Sequence, residues 1–311
     1  MTSPPAEAFR AQLAEAGVVI LTEADGVVGT SGTYELVVSA LNELFHGLGE
    51  GQGESVVHFP PVYPRSTFER TEYLSGFSNL VGAVNCFTGA DEDHDRLLAS
   101  VAAGEDWSGH FSASGLMLQP AACHPVYPIC TGVLPEGGRR FEVAGYCFRH
   151  EPSRDPFRMQ SFRMFEHVYV GDLASAVAHR DRWVTIACDV LGALGLDVST
   201  VPASDPFFGR AGSLLAEIQR DEASKLEVVF SLPGSGAVVA LASGNWHQDH
   251  FGTAFAIQCA NGETAQSACF GFGVDRVALA LFAAHGVAPA TWPAPVRARL
   301  WPNANGPASG N

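Results

Sequence analysis

The chain has 311 residues, of which 47% are hydrophobic and 16% are charged, enough for a large core in one or two domains. Asp and Glu outnumber Lys and Arg by 33 to 18, and the resulting net charge of −15 disfavours extensive contact with tRNA or DNA. No apolar run is long enough to span a membrane and the N-terminus lacks an export signal, which predicts a cytoplasmic protein.

The hydrophobic pattern predicts helices mainly early in the chain and strands mainly late. In chain order, we expect a helix over 4–16, a strand over 18–23, a helix over 33–48, a strand over 55–64, a short helix over 66–74, an apolar strand broken by prolines within 115–128, a hairpin over 145–172, a long helix over 173–194, strands over 226–232, 237–243 and 253–259, and an apolar helix over 272–285. This order predicts an α+β fold with an antiparallel sheet, as a single domain over 1–311 in which 291–311 form a loose tail.

The predicted hairpin has an arginine-rich loop. Its first strand ends in Arg149 and Glu151, and its second strand carries Phe162 and Glu166. A guanidinium group binds phosphate oxygens with a planar fork of donors, and a phenylalanine ring can stack on a base. The hairpin therefore indicates nucleotide binding.

A second arginine follows a glycine-rich segment, CFGFGVDRVALAL, at 269–281. Arg276 lies one turn into the predicted helix. Taken alone, this position fits an exposed side chain as well as a binding residue. Together with Arg149, it could clamp a triphosphate from two distant segments.

These two segments resemble motifs 2 and 3 of class II aminoacyl-tRNA synthetases. The resemblance implies an antiparallel β-sheet flanked by helices and a homodimer, for which we expect the interface around 60–87. It implies that Arg149 contacts the α-phosphate of ATP, that Glu151 contacts the adenine amino group and that Phe162 stacks on adenine. Arg276 is implied to hold the γ-phosphate side.

Residues 243–255, SGNWHQDHFGTAF, resemble a degraded form of the Ser-x-Asn…Asp-Phe-Gln segment of seryl-tRNA synthetases. On this resemblance, Asn245 is expected to bind the amino acid. The acidic magnesium ligand that precedes the segment in that family is not matched, because Val239 occupies its position. Magnesium is still expected with ATP, and Glu227 is a possible substitute ligand.

The seven cysteines are odd in number and scattered, so no disulfide framework is expected, and each alone is typical of a small buried hydrophobe. However, Cys123, Glu166 and Cys269 stand where archaeal-type seryl-tRNA synthetases have zinc ligands. The resemblance implies one zinc ion per subunit at this site, with an open fourth position for the amine of a free amino acid. Cys130 is the main alternative to Cys123.

The resemblance covers nearly the whole chain, and we find no segment typical of a separate tRNA-binding domain. Residues 60–87 and 121–128 are also similar to amino acid:[carrier protein] ligases, which are truncated homologues of archaeal-type seryl-tRNA synthetases. This similarity implies ATP-dependent activation of glycine or alanine and transfer to the phosphopantetheine thiol of a carrier protein.

Two alternatives stay open at this point. One is an aminoacyl-tRNA synthetase with the same site. The other is a catalytically silent paralogue that acts as a regulator, although such proteins usually lose the motif 2 or motif 3 arginine, and both are present here.

Overall fold

A computed structural model describes residues 4–205, 224–234 and 236–302 of the chain. The α-helices are α1 (Pro4–Glu15), α2 (Gly32–Gly49), α3 (Arg65–Arg70), α4 (Tyr73–Phe77), α5 (Asp91–Ala103), α6 (Leu173–Ala193), α7 (His250–Ala254), α8 (Val274–His285) and α9 (Ala294–Leu300). Short 3-10 helices span Ser78–Leu80, Ser108–His110, His124–Cys130 and Pro289–Thr291.

The strands form one large sheet and three small ones. They are β1 (Val19–Leu21), β2 (Val28–Thr30), β3 (Ser55–Val57), β4 (Val62–Pro64), β5 (Ala83–Cys86), β6 (Ser112–Leu118), β7 (Gly132–Val133), β8 (Arg139–Phe148), β9 (Ser161–Gly171), β10 (Val198–Pro202), β11 (Lys225–Ser231), β12 (Val238–Gln248), β13 (Ile257–Gln258) and β14 (Gln266–Gly273).

The large sheet has the strand order β10-β11-β12-β14-β9-β8-β3. All neighbours in it are antiparallel except β3, which pairs with β8 in parallel at one edge. A three-stranded sheet, β4-β6-β5, and the two-stranded pairs β1-β2 and β7-β13 complete the strands described. The predicted α+β fold with an antiparallel sheet flanked by helices is thus confirmed.

Helices α2, α6 and α8 pack against one face of the large sheet and form the main core with it. Phe45 of α2 stacks on Phe272 of β14 with ring centroids 3.9 Å apart, and Trp183 of α6 is buried nearby. Helix α8 is almost wholly buried, as its apolar sequence predicts. The helices leave the opposite face of the sheet available for other side chains.

Helices α2 and α6 each begin after a residue whose side chain accepts a hydrogen bond from a free N–H group of the first turn. Ser31 accepts a hydrogen bond from the backbone N–H of Tyr34 at the start of α2. Asp172 accepts one from the N–H of Ser175 at the start of α6. Such caps are favoured because the first turn of a helix has no internal acceptors.

Several predicted elements were wrong in detail. The short helix over 66–74 is divided into α3 and α4, because Glu72 has a left-handed backbone with φ 53°. The strand predicted over 253–259 is instead the end of α7 followed by the two-residue strand β13. Left-handed conformations at Gln248 and Ala256, with φ 54° and 50°, bracket this helical turn.

The start of the last long helix was also misplaced. It begins at Val274, and the two preceding residues complete β14, whose glycines conceal the strand pattern. The tail predicted to be loose from residue 291 packs onto the core through α9, since Trp292, Val296 and Leu300 are buried. Residues 303–311 of this predicted tail lie outside the described residues. Within the described ranges, no helix combines the length and apolar character required to cross a bilayer.

Candidate active site

The predicted site residues lie on one face of neighbouring strands of the large sheet. Asn245 on β12 is opposite Cys269 on β14, and Glu166 on β9 is opposite Gly271. Glu227 on β11 is opposite the residue two positions before Asn245, so its side chain points to the same face. This face is the one that α2, α6 and α8 leave uncovered.

The sequence predicted that Arg149 and Glu151 end the first strand of the hairpin. They lie instead just beyond the end of β8. The Nε–H of Arg149 donates to the carbonyl of Pro120 at 3.1 Å, and the guanidinium lies 5.4 Å from the centroid of the Phe162 ring. These contacts bring the predicted phosphate-binding arginine next to the predicted base-stacking ring.

Arg276 is held by two backbone carbonyls. Its Nε–H donates to Phe157 in the arginine-rich loop at 2.9 Å, and Nη1 donates to Ala240 on β12 at 3.2 Å. Burial and then the positive charge of Arg149 lower the pKa of Arg276 below its usual value. Two like charges that influence each other in this way are suited to a polyanion such as a triphosphate.

The two acidic residues of the predicted nucleotide site already have cationic partners. Glu151 lies 3.5 Å from Arg158 in the loop. Glu227 lies 3.2 Å from Nζ of Lys225, the single lysine of the chain, which also pairs with Asp205 at 2.5 Å. A magnesium ion at Glu227 would therefore compete with an ammonium group for the carboxylate.

Cys123, Glu166 and Cys269 meet in one buried cluster although they are far apart in sequence. One ligand atom from each lies within 4.8 Å of the others. Cys123 stands at the start of the 3-10 helix His124–Cys130, and the other two come from β9 and β14. Cys130 lies outside this cluster, and burial raises the pKa of its thiol to about 11.

The Glu166 carboxylate has one oxygen bonded and one without a partner. Oε1 accepts the backbone N–H of Ala122 at 2.7 Å, whereas the buried Oε2 has no hydrogen-bond partner. Burial raises the pKa of Glu166 to about 8. Gly271 leaves room for the Glu166 side chain, because a Cβ at residue 271 would lie only 3.2 Å from Cγ of Glu166. An unpaired carboxylate oxygen beside two thiols fits a zinc ion.

The surroundings of Cys269 favour its thiolate form. Hydrogen bonding to Cys123, and secondarily the charge and hydrogen bond of His247, lower the pKa of Cys269. Nε2 of His247 lies 3.5 Å from the sulfur and the amide of Asn245 donates to it at 3.8 Å. A thiolate is the form in which cysteine binds metal ions.

His247 is a site residue that was not predicted from the sequence. Its Nδ1 lies 3.2 Å from the hydroxyl of Ser267, and this contact orients the ring toward Cys269. The detectable signal is its spacing, because His247 follows Asn245 by two residues on β12 and so points to the same face.

A buried ion pair that also went unpredicted joins the two nucleotide-binding segments. The carboxylate of Asp275 accepts from the backbone N–H of Arg163 at 2.6 Å and from its guanidinium at 2.7 Å. Asp275 immediately precedes Arg276, and Arg163 immediately follows Phe162. The pair therefore fixes the two predicted ATP-binding side chains relative to each other.

No family model matches the chain. It is 42% identical to amino acid–[acyl-carrier-protein] ligase 1 of Bradyrhizobium diazoefficiens over 275 residues, which are 88% of this chain and 84% of the relative. It is equally similar to ligase 2 of the same organism over 274 residues, 88% of this chain and 82% of the relative. A type-2 serine–tRNA ligase of Methanopyrus kandleri is 28% identical over 271 residues, 78% of this chain and 50% of that protein.

Solved structures of seryl-tRNA synthetases share the fold. The M. kandleri enzyme, solved with tRNASec of A. aeolicus, has a TM-score of 0.82 and 22% identity, covering 96% of this chain and 61% of that chain. The Pyrococcus horikoshii enzyme complexed with ATP has a TM-score of 0.70 and 15% identity, covering 94% and 62%. The chain thus spans about three fifths of these solved chains, and its fold is that of class II aminoacyl-tRNA synthetases.

Proposed function

The chain belongs to the family of amino acid–[acyl-carrier-protein] ligases, and on this premise we propose how it activates an amino acid and transfers it to a carrier protein. The amino acid is small, glycine or alanine, and the acceptor is the phosphopantetheine thiol of the carrier. The observation that carries the proposal is the arrangement of the two arginines and the Cys–Glu–Cys cluster at one face of the sheet.

The nucleotide half of the site consists of Arg149, Glu151, Phe162 and Arg276. Phe162 stacks on the adenine and Glu151 accepts a hydrogen bond from its amino group. Arg149 neutralises the α-phosphate while the amino acid carboxylate attacks it, and Arg276 holds the leaving pyrophosphate. Since both arginines are buried or partly buried, their charges act in a low dielectric and can stabilise the transition state strongly.

The amino acid half lies beside the Cys–Glu–Cys cluster. Cys123, Glu166 and Cys269 would hold one zinc ion per subunit, and their number leaves its fourth coordination position open. When bound, this zinc would supply a Lewis acid for the neutral α-amine of the amino acid. Asn245, whose amide contacts Cys269, borders the space for the substrate. Magnesium accompanies ATP, with Glu227 as its candidate protein ligand.

The two steps have a simple bond balance. In the first, a carboxylate oxygen bonds to the α-phosphorus, and the bond to the pyrophosphate oxygen breaks. In the second, the carrier sulfur bonds to the carbonyl carbon, the thiol proton is released, and AMP leaves with the electron pair of the mixed anhydride. The protein contributes positioning and charge stabilisation, without a covalent intermediate.

Amino-acid-dependent exchange of labelled pyrophosphate into ATP tests the activation step. We expect exchange with glycine or alanine, and we expect Arg149→Met or Arg276→Met to lower its kcat by roughly 10²–10³-fold, as for loss of one transition-state donor. Arg299→Met is the matched control because Arg299 is exposed on α9. Absence of exchange with all twenty amino acids would mean that the chain is a silent paralogue.

Transfer assays identify the acceptor. We expect the holo form of a carrier protein to be aminoacylated, whereas the apo form, which lacks the thiol, and tRNA should not be. The 28% identity to a serine–tRNA ligase makes tRNA the relevant competitor, and charging of tRNA in place of the carrier would favour that alternative.

Metal analysis tests the cluster independently of activity. Cys123→Ala is expected to lose one equivalent of zinc, whereas Cys130→Ala keeps it, because Cys130 lies outside the cluster. The reverse result would reassign the ligand. We also expect a homodimer with residues 60–87 at its interface. Light scattering of the purified protein tests the dimer through its mass.

A further inference from the structure

A second group of potential metal ligands lies on the other face of β9. Glu54, Glu142 and His167 each place one ligand atom within 4.8 Å of the others. His167 directly follows Glu166, and consecutive residues of a strand point to opposite faces. Glu142 on β8 is opposite His167 in the strand register, and Glu54 immediately precedes β3. The two clusters therefore lie back to back across the same strand.

The second cluster is buried and incompletely hydrogen-bonded. The side chains of His167, Glu54 and Glu142 are 0%, 4% and 7% exposed. Nδ1 of His167 lies 2.8 Å from Oε2 of Glu54. Oε1 of Glu54 and Nε2 of His167 are buried and have no hydrogen-bond partner among the described residues. Buried polar atoms in proteins nearly always have a partner, so these two atoms call for one.

The charges in this cluster also require compensation. Two carboxylates are almost completely removed from water, which is costly unless positive charge is nearby. Within the described parts of the chain, the ion-pair partners of Glu54 and Glu142 are the histidines His167 and His46, and neither Lys nor Arg is paired with them. A divalent cation would balance both carboxylates even with the histidines neutral.

The packing around the cluster keeps space for it. Gly49 ends α2, and a Cβ at this position would lie 2.5 Å from Oε2 of Glu54, 3.1 Å from Cε1 of His167 and 3.4 Å from Oε2 of Glu142. The three ligand residues thus surround the position that a side chain at residue 49 would occupy. Nδ1 of His46, on α2, lies 2.9 Å from each oxygen of Glu142 and helps to orient that carboxylate.

We propose that Glu54, Glu142 and His167 form a second metal site, which binds a first-row divalent cation such as Zn²⁺ or Mn²⁺. One imidazole and two carboxylates suit such ions, whereas a copper(I) site would need sulfur ligands. The site is closed to solvent and lies away from the nucleotide side, so its role is structural. It ties the connection between α2 and β3 to β8 and β9.

Elemental analysis of the purified full-length protein tests this proposal without an activity assay. The wild type is expected to contain two metal equivalents per chain, and a Cys123→Ala/Cys269→Ala variant one. Adding Glu142→Gln to that variant should remove the remaining ion, whereas adding Glu43→Gln, which changes an exposed acid on α2, should leave it in place.

A binding measurement covers the case in which the Glu142 variant does not fold. The Cys123→Ala/Cys269→Ala variant is stripped with a chelator and titrated with Zn²⁺ or Mn²⁺, and its thermal midpoint should rise with metal concentration. The proposal is overturned if this variant holds no metal and its midpoint does not respond. The cluster would then be an internal hydrogen-bonded group without a metal ion. Pyrophosphate exchange of the wild type is unaffected by that outcome, so the proposed ligase function is judged separately.

Discussion

Replacing Asp275 by asparagine should strongly destabilise the protein, because it removes the charge that compensates the partly buried Arg163. The Asp275 side chain is 5% exposed and that of Arg163 is 13% exposed. Besides the hydrogen bonds from the backbone and guanidinium of Arg163, the carboxylate accepts one from the hydroxyl of Tyr34 at 3.1 Å. Asparagine has nearly the same shape, so the change removes the charge and leaves little cavity.

The magnitude follows from what remains after the substitution. Breaking a buried ion pair by removing one partner costs about 3–5 kcal/mol. Arg163 keeps Glu35, which lies 2.6 Å from its Nη1, so we expect the lower end, about 3 kcal/mol, or roughly a hundredfold in the folding equilibrium. Glu35 itself is 42% exposed, and Glu35→Gln should cost only about 0–1 kcal/mol.

Equilibrium unfolding in urea at neutral pH compares the two variants. An Asp275→Asn cost below about 1 kcal/mol, or one equal to that of Glu35→Gln, would refute the reasoning from burial. The double variant Arg163→Met/Asp275→Asn should cost less than the sum of its single changes, since neither charge is then left unpaired.

The same substitution should affect ATP binding, because Asp275 and Arg163 adjoin Arg276 and Phe162. A displacement of about 1 Å at a reacting group can lower the rate by about 10²-fold. We therefore expect a lower kcat/KM for ATP in Asp275→Asn at temperatures where it is folded, and an unchanged kcat/KM in Glu35→Gln.

Three further predictions concern local features of the structure. Asp172→Ala should destabilise the protein by about 1 kcal/mol and Asp172→Asn less, since asparagine also caps helices. The cap hydrogen bond lowers the pKa of Asp172, so its stabilisation is present above the unfolded pKa of about 3.9 and is lost as pH falls through the folded pKa. The urea midpoints of Asp172→Ala and the wild type should therefore converge in acid. Gly138→Ala should lower the free energy of unfolding by about 1–3 kcal/mol, because φ is +74° and the new Cβ would lie 2.5 Å from the carbonyl oxygen of Val170. Gly137→Ala should lower it less, because φ is +81° there and no atom lies near the new Cβ. Equal losses in thermal unfolding would exclude the clash as the cause. Phe162→Ala should raise the KM for ATP by roughly 5–150-fold through lost stacking, with a smaller change in kcat, and an unchanged KM would remove Phe162 from the adenine site.

Local sequence predicted the parts of the site that depend on neighbouring residues. Arg149, Phe162 and Arg276 belong to recognisable segments, and the structure places them near one another. The alternation of side chains along a strand could also be foreseen, and it accounts for Glu166 and His167 serving opposite faces. The resemblance of Cys123, Glu166 and Cys269 to a ligand set came from comparison with a family, since their spacing obeys no local rule.

Local sequence was enough to predict helices α2, α6 and α8, the antiparallel α+β class and the arginine-bearing segments, because periodicity and local motifs are properties of neighbouring residues. Helix α5 was not predicted. The packing of strands and helices sets which distant residues come together. The pairing of Asp275 with Arg163, the contact of His247 with Cys269 and the convergence of Glu54 with Glu142 depend on strand register and on helix packing. A shift of one residue in register would send each strand side chain to the other face, so these contacts exist only once the sheet has formed.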